Sequence, residues 1–236
     1  MNFSFFALQN MLSFGRVLTY TIKKTHPNSS VIQIADNKTL KIKEVDYIVR
    51  CQFKKNQLLY NRLQAYIMTL EKYGPTIFLD PDMIIIKNVA ELGELLNTYD
   101  LIVTKHKKNF PLKNTYDNIY FPDFTNKYIY DVMPYNGGFL ACSKLEALYQ
   151  LKRIYNSLSS EYFFWYGDQI ALKKLIDRNN YKIKILDSNI YNYTPKNENE
   201  LINNSSILHF KGKKKELLIK MLPKIYGKNI LDLIFN

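Results

Sequence analysis

The sequence predicts a doubly wound α/β fold, with one largely parallel sheet flanked by helices in a single domain over residues 1–236. Two observations carry this expectation. Short apolar runs alternate with amphipathic helical segments along the first half of the chain, the pattern of strands joined by crossover helices. No internal repeat, low-complexity tract or linker divides the 236 residues, a length that buries a sizeable core.

Each element has its own signal. Residues 2–8 (NFSFFAL) are a short aromatic-rich run, as expected of a buried strand. Residues 13–26 read as a helix stopped by Pro27, 31–36 (VIQIAD) as a strand ending in a carboxylate, and 45–49 as a third strand. In residues 55–73, Leu59, Leu63, Tyr66, Ile67 and Leu70 share one helical face, and Gly74-Pro75 ends the helix. Residues 76–79 (TIFL) come next as a buried strand. Ligands of such sheets bind beyond the carboxyl ends of the strands, which directs attention to the residues just after Leu79.

Further on, 89–97 reads as a short helix and 100–104 as a strand. Residues 105–134 are a long, weakly patterned, aromatic-rich stretch, expected to be a lid or an acceptor-side excursion. Strand character returns at 139–142, 182–186 and 207–209, and helix at 144–158 and 165–178.

Thirty-three Lys and Arg against 21 Asp and Glu give a net charge of +12, and aromatic residues reach 14%. A chain this basic expects anionic company, such as nucleic acid, a membrane surface or phosphorylated substrates. Only five of the basic residues are arginine. Lysine is a diffuse point charge rather than a bidentate reader of bases, which argues against sequence-specific nucleic-acid recognition. Cys51 and Cys142 lack any metal-ligand spacing and read as structural thiols. No positive charge precedes Arg16 and no run approaches a membrane span, so the expectation is a cytoplasmic protein, soluble or peripheral on a membrane's inner face.

The clearest chemistry is Asp80-Pro81-Asp82, directly after the 76–79 strand. Two carboxylates one residue apart repel unless a cation neutralises them, and hard oxygen ligands suit Mg²⁺ or Mn²⁺. A solvated turn whose aspartates cap the segment from Met83 onward is the competing reading. His209 ends a strand-like run and heads a basic loop, His209-Phe210-Lys211-Gly212-Lys213-Lys214-Lys215. That arrangement can put an imidazole on a metal and lysine charge on phosphates.

These residues carry a family resemblance. Phe78-Leu79-Asp80-Pro81-Asp82 resembles the D-x-D strand end of GT-A nucleotide-sugar glycosyltransferases, and His209-x-x-Gly212-x-x-Lys215 resembles the H-x-x-G-x-x-K of family 8 members. Asn136-Gly137-Gly138-Phe139 is similar to their N-x-G strand start, and Gly167-Asp168-Gln169 to their G-D-Q helix. The resemblance implies a GT-A fold with a mixed, Rossmann-like sheet. It implies a divalent cation, Mn²⁺ or Mg²⁺, on Asp80, Asp82 and His209, with Asp80 also meeting the donor. Gly212 and Lys215 would hold the diphosphate, with Arg62 near the nucleotide or the first aspartate. Leu8, Gln9 and Asp36 would lie near base and ribose. Asn136 would meet donor sugar or acceptor, with Gly137 and Gly138 allowing close backbone approach; a simple turn is the alternative. Asp168 would bind sugar hydroxyls or act as base beside Gln169 at the anomeric carbon, against the alternative of a helix N-cap.

The implied activity moves a sugar from a nucleotide-diphosphate sugar to a hydroxyl of a glycan or lipid-linked acceptor, with retention. Residues 211–236 form a basic tail with an apolar stripe (Leu217, Leu218, Met221, Leu222, Ile225), suited either to an anionic membrane surface or to packing on the domain. Two other functions compete. A haloacid-dehalogenase-like phosphatase shares the Asp80-Pro81-Asp82 strand end, but Met83-Ile84 stand where a small residue and Thr belong. A basic, aromatic-rich nucleic-acid module has charge and stacking residues without an organised motif, so no nucleic-acid partner is expected.

Overall fold

The computed structural model describes residues 1–54, 57–200, 202–227 and 229–235. Its first elements are β1 (Asn2–Phe6), α1 (Leu12–Thr25), β2 (Ser30–Ala35), β3 (Tyr47–Arg50) and α2 (Leu58–Tyr73). The start expected for α2, residues 55 and 56, lies outside the described residues. Next come β4 (Thr76–Leu79), β5 (Met83–Ile85), α3 (Glu91–Leu96), β6 (Leu101–Lys105), β7 (Thr115–Tyr116), β8 (Ile119–Tyr120) and α4 (Ile129–Val132). The remainder is β9 (Tyr135–Cys142), α5 (Leu145–Asn156), α6 (Gly167–Asp177), β10 (Ile183–Leu186), α7 (Ser188–Tyr191), β11 (Ile207–His209), α8 (Lys215–Tyr226) and α9 (Ile230–Phe235).

Seven strands form the central sheet in the order β10-β6-β9-β4-β1-β2-β3. Side chains alternate across it as the pleat requires. Phe3, Phe5, Val31, Ile77 and Leu79 face one core layer with Leu18 and Ile22 of α1. Phe6, Ile32, Ile34 and Phe78 face the other with Leu63, Tyr66 and Ile67 of α2 and residues of α5 and α6.

The sheet is not all parallel. β9 runs antiparallel to β4 and β6, pairing Phe139 with Leu79 and Leu140 with Val103. This corrects the parallel sheet expected from alternation and matches the mixed sheet that the resemblance implied. It also positions the site: the start of β9 lies against the carboxyl ends of its neighbours, and Asp80 N–H donates to the Gly138 carbonyl at 2.8 Å.

A second, two-stranded sheet pairs β5 with β11, His209 opposite Met83. Phe210 N–H donates to the Asp82 carbonyl at 2.9 Å. That pairing draws the late His209 segment onto the Asp80-Pro81-Asp82 turn. Residues 105–134 hold the β7–β8 hairpin and α4, and Phe121, Phe124, Ile129 and Met133 bury themselves in the α2-side core. The excursion is thus anchored along its middle.

The tail also packs inward. Leu218, Met221 and Leu222 of α8 join Ile230 and Ile234 of α9 against Val17, Ile84, Leu208 and Phe210, all buried. The apolar stripe on which the membrane expectation rested is therefore spent on the domain, and among the described residues no helix is long and apolar enough to cross a membrane. Lys228 and Asn236 of that tail lie outside the described residues.

Candidate active site

The carboxyl end of β4, the start of β9 and the end of β11 converge on Asp80, Asp82 and His209. One ligand atom from each lies within 4.8 Å of the others. His209 Nε2 is 3.3 Å from Asp82 Oδ1 and 3.6 Å from Asp80 Oδ2. The other ring nitrogen is committed: Nδ1 is 2.9 Å from Asn192 Oδ1. The Asn192 amide nitrogen donates both its hydrogens, to Thr104 Oγ1 at 2.7 Å and Asn136 Oδ1 at 3.0 Å. The Asn192 oxygen must therefore accept, so His209 donates from Nδ1 and turns the Nε2 lone pair toward two carboxylates. Three electron-rich atoms so close could hold a cation, and O,O,N donors suit a divalent ion with the usual outer hydrogen bond on the imidazole. The residues fit the metal that the resemblance implies.

The two aspartates differ electrostatically. Burial pushes the Asp80 carboxyl up, opposed by the charge of Arg62. Burial also raises Asp82, but the polar and positively charged groups around it, Lys215 among them, outweigh it and hold Asp82 below the usual carboxylate range. Lys215, the first residue of α8, has its Nζ 3.6 Å from Asp82 Oδ2. Burial brings Lys211 down to about 8 against the pull of Asp80 and Asp82. Gly212 opens the turn between them with φ +55°, a conformation glycine adopts freely.

Arg62, from α2, bridges the carboxylates. Its Nη1 is 3.1 Å from Asp80 Oδ1 and its Nη2 pairs with Asp168. Asp168 is not the helix N-cap, since that position belongs to Tyr166; it lies in the first turn of α6, buried, with its charge spent on Arg62. Arg62 thus meets the first aspartate, as one of its two expected placements had it.

Gly137 and Gly138 are needed for side chains of the protein itself. A Cβ on Gly138 would stand 2.2 Å from His209 Cε1 and 2.9 Å from Asp80 Oδ2; one on Gly137, 2.9 Å from Asp168 Oδ2. Asn136 is buried, its Oδ1 accepting from Gly138 N–H at 3.1 Å as well as from Asn192. These bonds tie the start of β9 to Asn192 and through it to His209.

Leu8, Gln9 and Asp36 come after the ends of neighbouring β1 and β2, at the same sheet edge as Asp80. Asp36 Oδ1 closes its own loop, accepting from Thr39 N–H at 2.7 Å and Lys38 N–H at 3.1 Å.

Three residues of the site carry no signal of that role in the sequence. Lys211 lies inside the basic loop but outside its motif positions. Asn192 and His106 have no telling spacing. His106 Nε2 lies 3.1 Å from Gln169 Oε1. Burial and the Lys211 charge take the His106 imidazole down to about 4 despite that bond, so it is neutral near pH 7 and donates to the amide oxygen.

No family model matches the sequence, and no curated protein matches it. The backbone does resemble solved structures. A structure of the galactosyltransferase LgtC in complex with donor and acceptor sugar analogues aligns at TM-score 0.58, 14% identity and 100% coverage of both chains. The fold is GT-A. A glycosyltransferase involved in glycosylation of the major capsid of PBCV-1 aligns at 0.57 and 12% identity, covering 93% of this chain and 99% of that one. The apo bifunctional glycosyltransferase WbbM aligns at 0.61 and 12% identity over 100% of this chain, which spans 51% of WbbM. In the GT-A frame the Asp80–Asp82–His209 group sits where ligands of open α/β sheets bind, beyond the carboxyl ends of the parallel strands.

Proposed function

We propose that this chain is a metal-dependent glycosyltransferase that moves a sugar from a nucleotide-diphosphate sugar to a hydroxyl of a glycan or lipid-linked acceptor, with retention at the anomeric carbon. One observation carries the reading: Asp80, Asp82 and the Nε2 lone pair of His209 lie close enough to hold a divalent cation within a fold shared with glycosyltransferases. Retention rests on the family 8 resemblance of the motifs.

Asp80, Asp82 and His209 would hold Mn²⁺ or Mg²⁺. When bound, such an ion neutralises the negative charge that grows on a departing nucleoside diphosphate. Lys215, held by Asp82 at 3.6 Å, would be free to turn to the phosphates with that carboxylate committed to the ion. With Lys211 and the Gly212 backbone it places positive charge where the leaving group develops. Leu8, Gln9 and Asp36 line the nucleotide side. Arg62 fixes Asp168 against β9, and His106 fixes the Gln169 amide oxygen so that its NH₂ group is offered to the sugar. Residues 105–134 wall the acceptor side and limit water. None of these contacts favours the phosphatase or the nucleic-acid reading.

Replacing Asp82 with alanine is expected to abolish both donor hydrolysis and transfer while the far-ultraviolet circular dichroism stays unchanged. Full activity in that variant, or in excess chelator, would refute the proposal.

A further inference from the structure

Trp165 is the one tryptophan of the sequence, and 41% of its surface is exposed. Its ring meets Tyr116, also 41% exposed, edge to face at 5.3 Å with the planes at 74°. The two rings form an open corner. Tyr116 also meets Tyr166 at 5.6 Å, and Tyr166 rests on Phe121 and Phe124 at 5.7 and 5.6 Å. Both phenylalanines are buried and stacked on each other. The Tyr162 hydroxyl, beside them, donates to Asp123 at 2.8 Å.

The corner is therefore held rigidly from beneath. On the hairpin side, Asp117 and Asn118 both take positive φ, as a tight two-residue turn requires, and this fixes Tyr116. On the other side, Tyr166 takes φ +67°, a left-handed conformation that is strained for a bulky residue. A Cβ on Gly167 would stand 2.2 Å from the Tyr162 carbonyl oxygen. Such strain persists where surrounding contacts over-determine it, and it clusters at binding sites. Asp168 and Gln169 follow Gly167 in the first turn of α6, so the exposed rings lie on the segment that leads into the candidate active site.

We propose that Trp165 and Tyr116 bind pyranose rings of an oligosaccharide acceptor, holding sugar units beyond the one that reacts. A pyranose presents an apolar face of C–H groups that complements the negative face of an aromatic ring, while its rim hydroxyls seek polar partners. Asp117 and Asn118 at the hairpin tip supply polar groups beside Tyr116. Flat aromatic side chains give such contact area at little entropic cost. The inference rests on the glycosyltransferase reading and narrows its acceptor to a glycan chain.

The single tryptophan makes the test direct. The full chain, without donor or cation, is titrated with maltohexaose, cellohexaose and chitohexaose while indole emission is followed. The expected result is a saturable emission change with at least one of them at about 0.1–10 mM. In Tyr116→Ser, whose exposed side chain should leave the melting temperature nearly unchanged, affinity should fall by about tenfold. No emission change with any of the three, or equal affinity in Tyr116→Ser, would overturn the proposal. So would emission that responds only to anionic vesicles or to protein concentration. Because donor and cation are left out, failure here leaves the donor reading standing, and failure of that reading leaves this measurement intact.

Discussion

His209 donates its Nδ1 hydrogen to Asn192 Oδ1 over 2.9 Å, and this one bond decides what the imidazole presents to Asp80 and Asp82. With Nδ1 protonated, Nε2 is an acceptor or a metal ligand. Asn192→Ala removes that control and leaves the ring free to change tautomer. Cation affinity should fall by about 10–100-fold, read by titration calorimetry with Mn²⁺. Unchanged affinity would mean that Asn192 has no part in the site.

Gly138 makes room for the same imidazole. Gly138→Ala puts a methyl group 2.2 Å from His209 Cε1 and 2.8 Å from Nδ1, so the ring or β9 must shift. A stability loss of about 1–3 kcal/mol in urea melts is expected, with weakened cation binding. A variant that matches the parent in both would contradict the packing described.

Arg62 is the shared counter-charge of Asp80 and Asp168. Arg62→Leu leaves two half-buried or buried carboxylates without it and should destabilise the fold by about 3–5 kcal/mol. Adding Asp168→Asn removes one of those charges, so the double variant should recover part of the loss. Additive losses would show that the pair is not coupled.

His106 makes a prediction in pH. Its unfolded imidazole takes up a proton near 6.5, whereas the folded one resists until about 4. Protons therefore favour the unfolded chain in that window, and stability present above pH 6.5 is lost as the pH falls toward 4. His106→Gln lacks this term, so the parent's stability relative to the variant should shrink as the pH falls through the window. A difference that stays constant with pH would contradict the assignment.

Much of the site could be read from the sequence because its parts are short motifs at the ends of strong elements. Asp80 and Asp82 come after four consecutive buried residues, and His209 ends another apolar run. The direction of β9 could not be read, since alternation of strand and helix says nothing about a strand that returns from a 30-residue excursion without a crossover helix. β5, with three residues, is too short to establish a period. Asn192 and His106 are single polar residues whose partners, Thr104, Asn136 and Gln169, are distant in sequence. The tail's stripe reads alike for a membrane and for a domain surface; Val17, Ile84 and Phe210, which receive it, lie on other elements.

The most direct measurement is the thermal unfolding of the parent and of Asp82→Ala with UDP, GDP and CMP, each with and without Mn²⁺. At least one nucleotide should stabilise the parent only when Mn²⁺ is present, and Asp82→Ala should lose the effect. Stabilisation that is indifferent to Mn²⁺ or survives in Asp82→Ala, or none with any nucleotide, would contradict it.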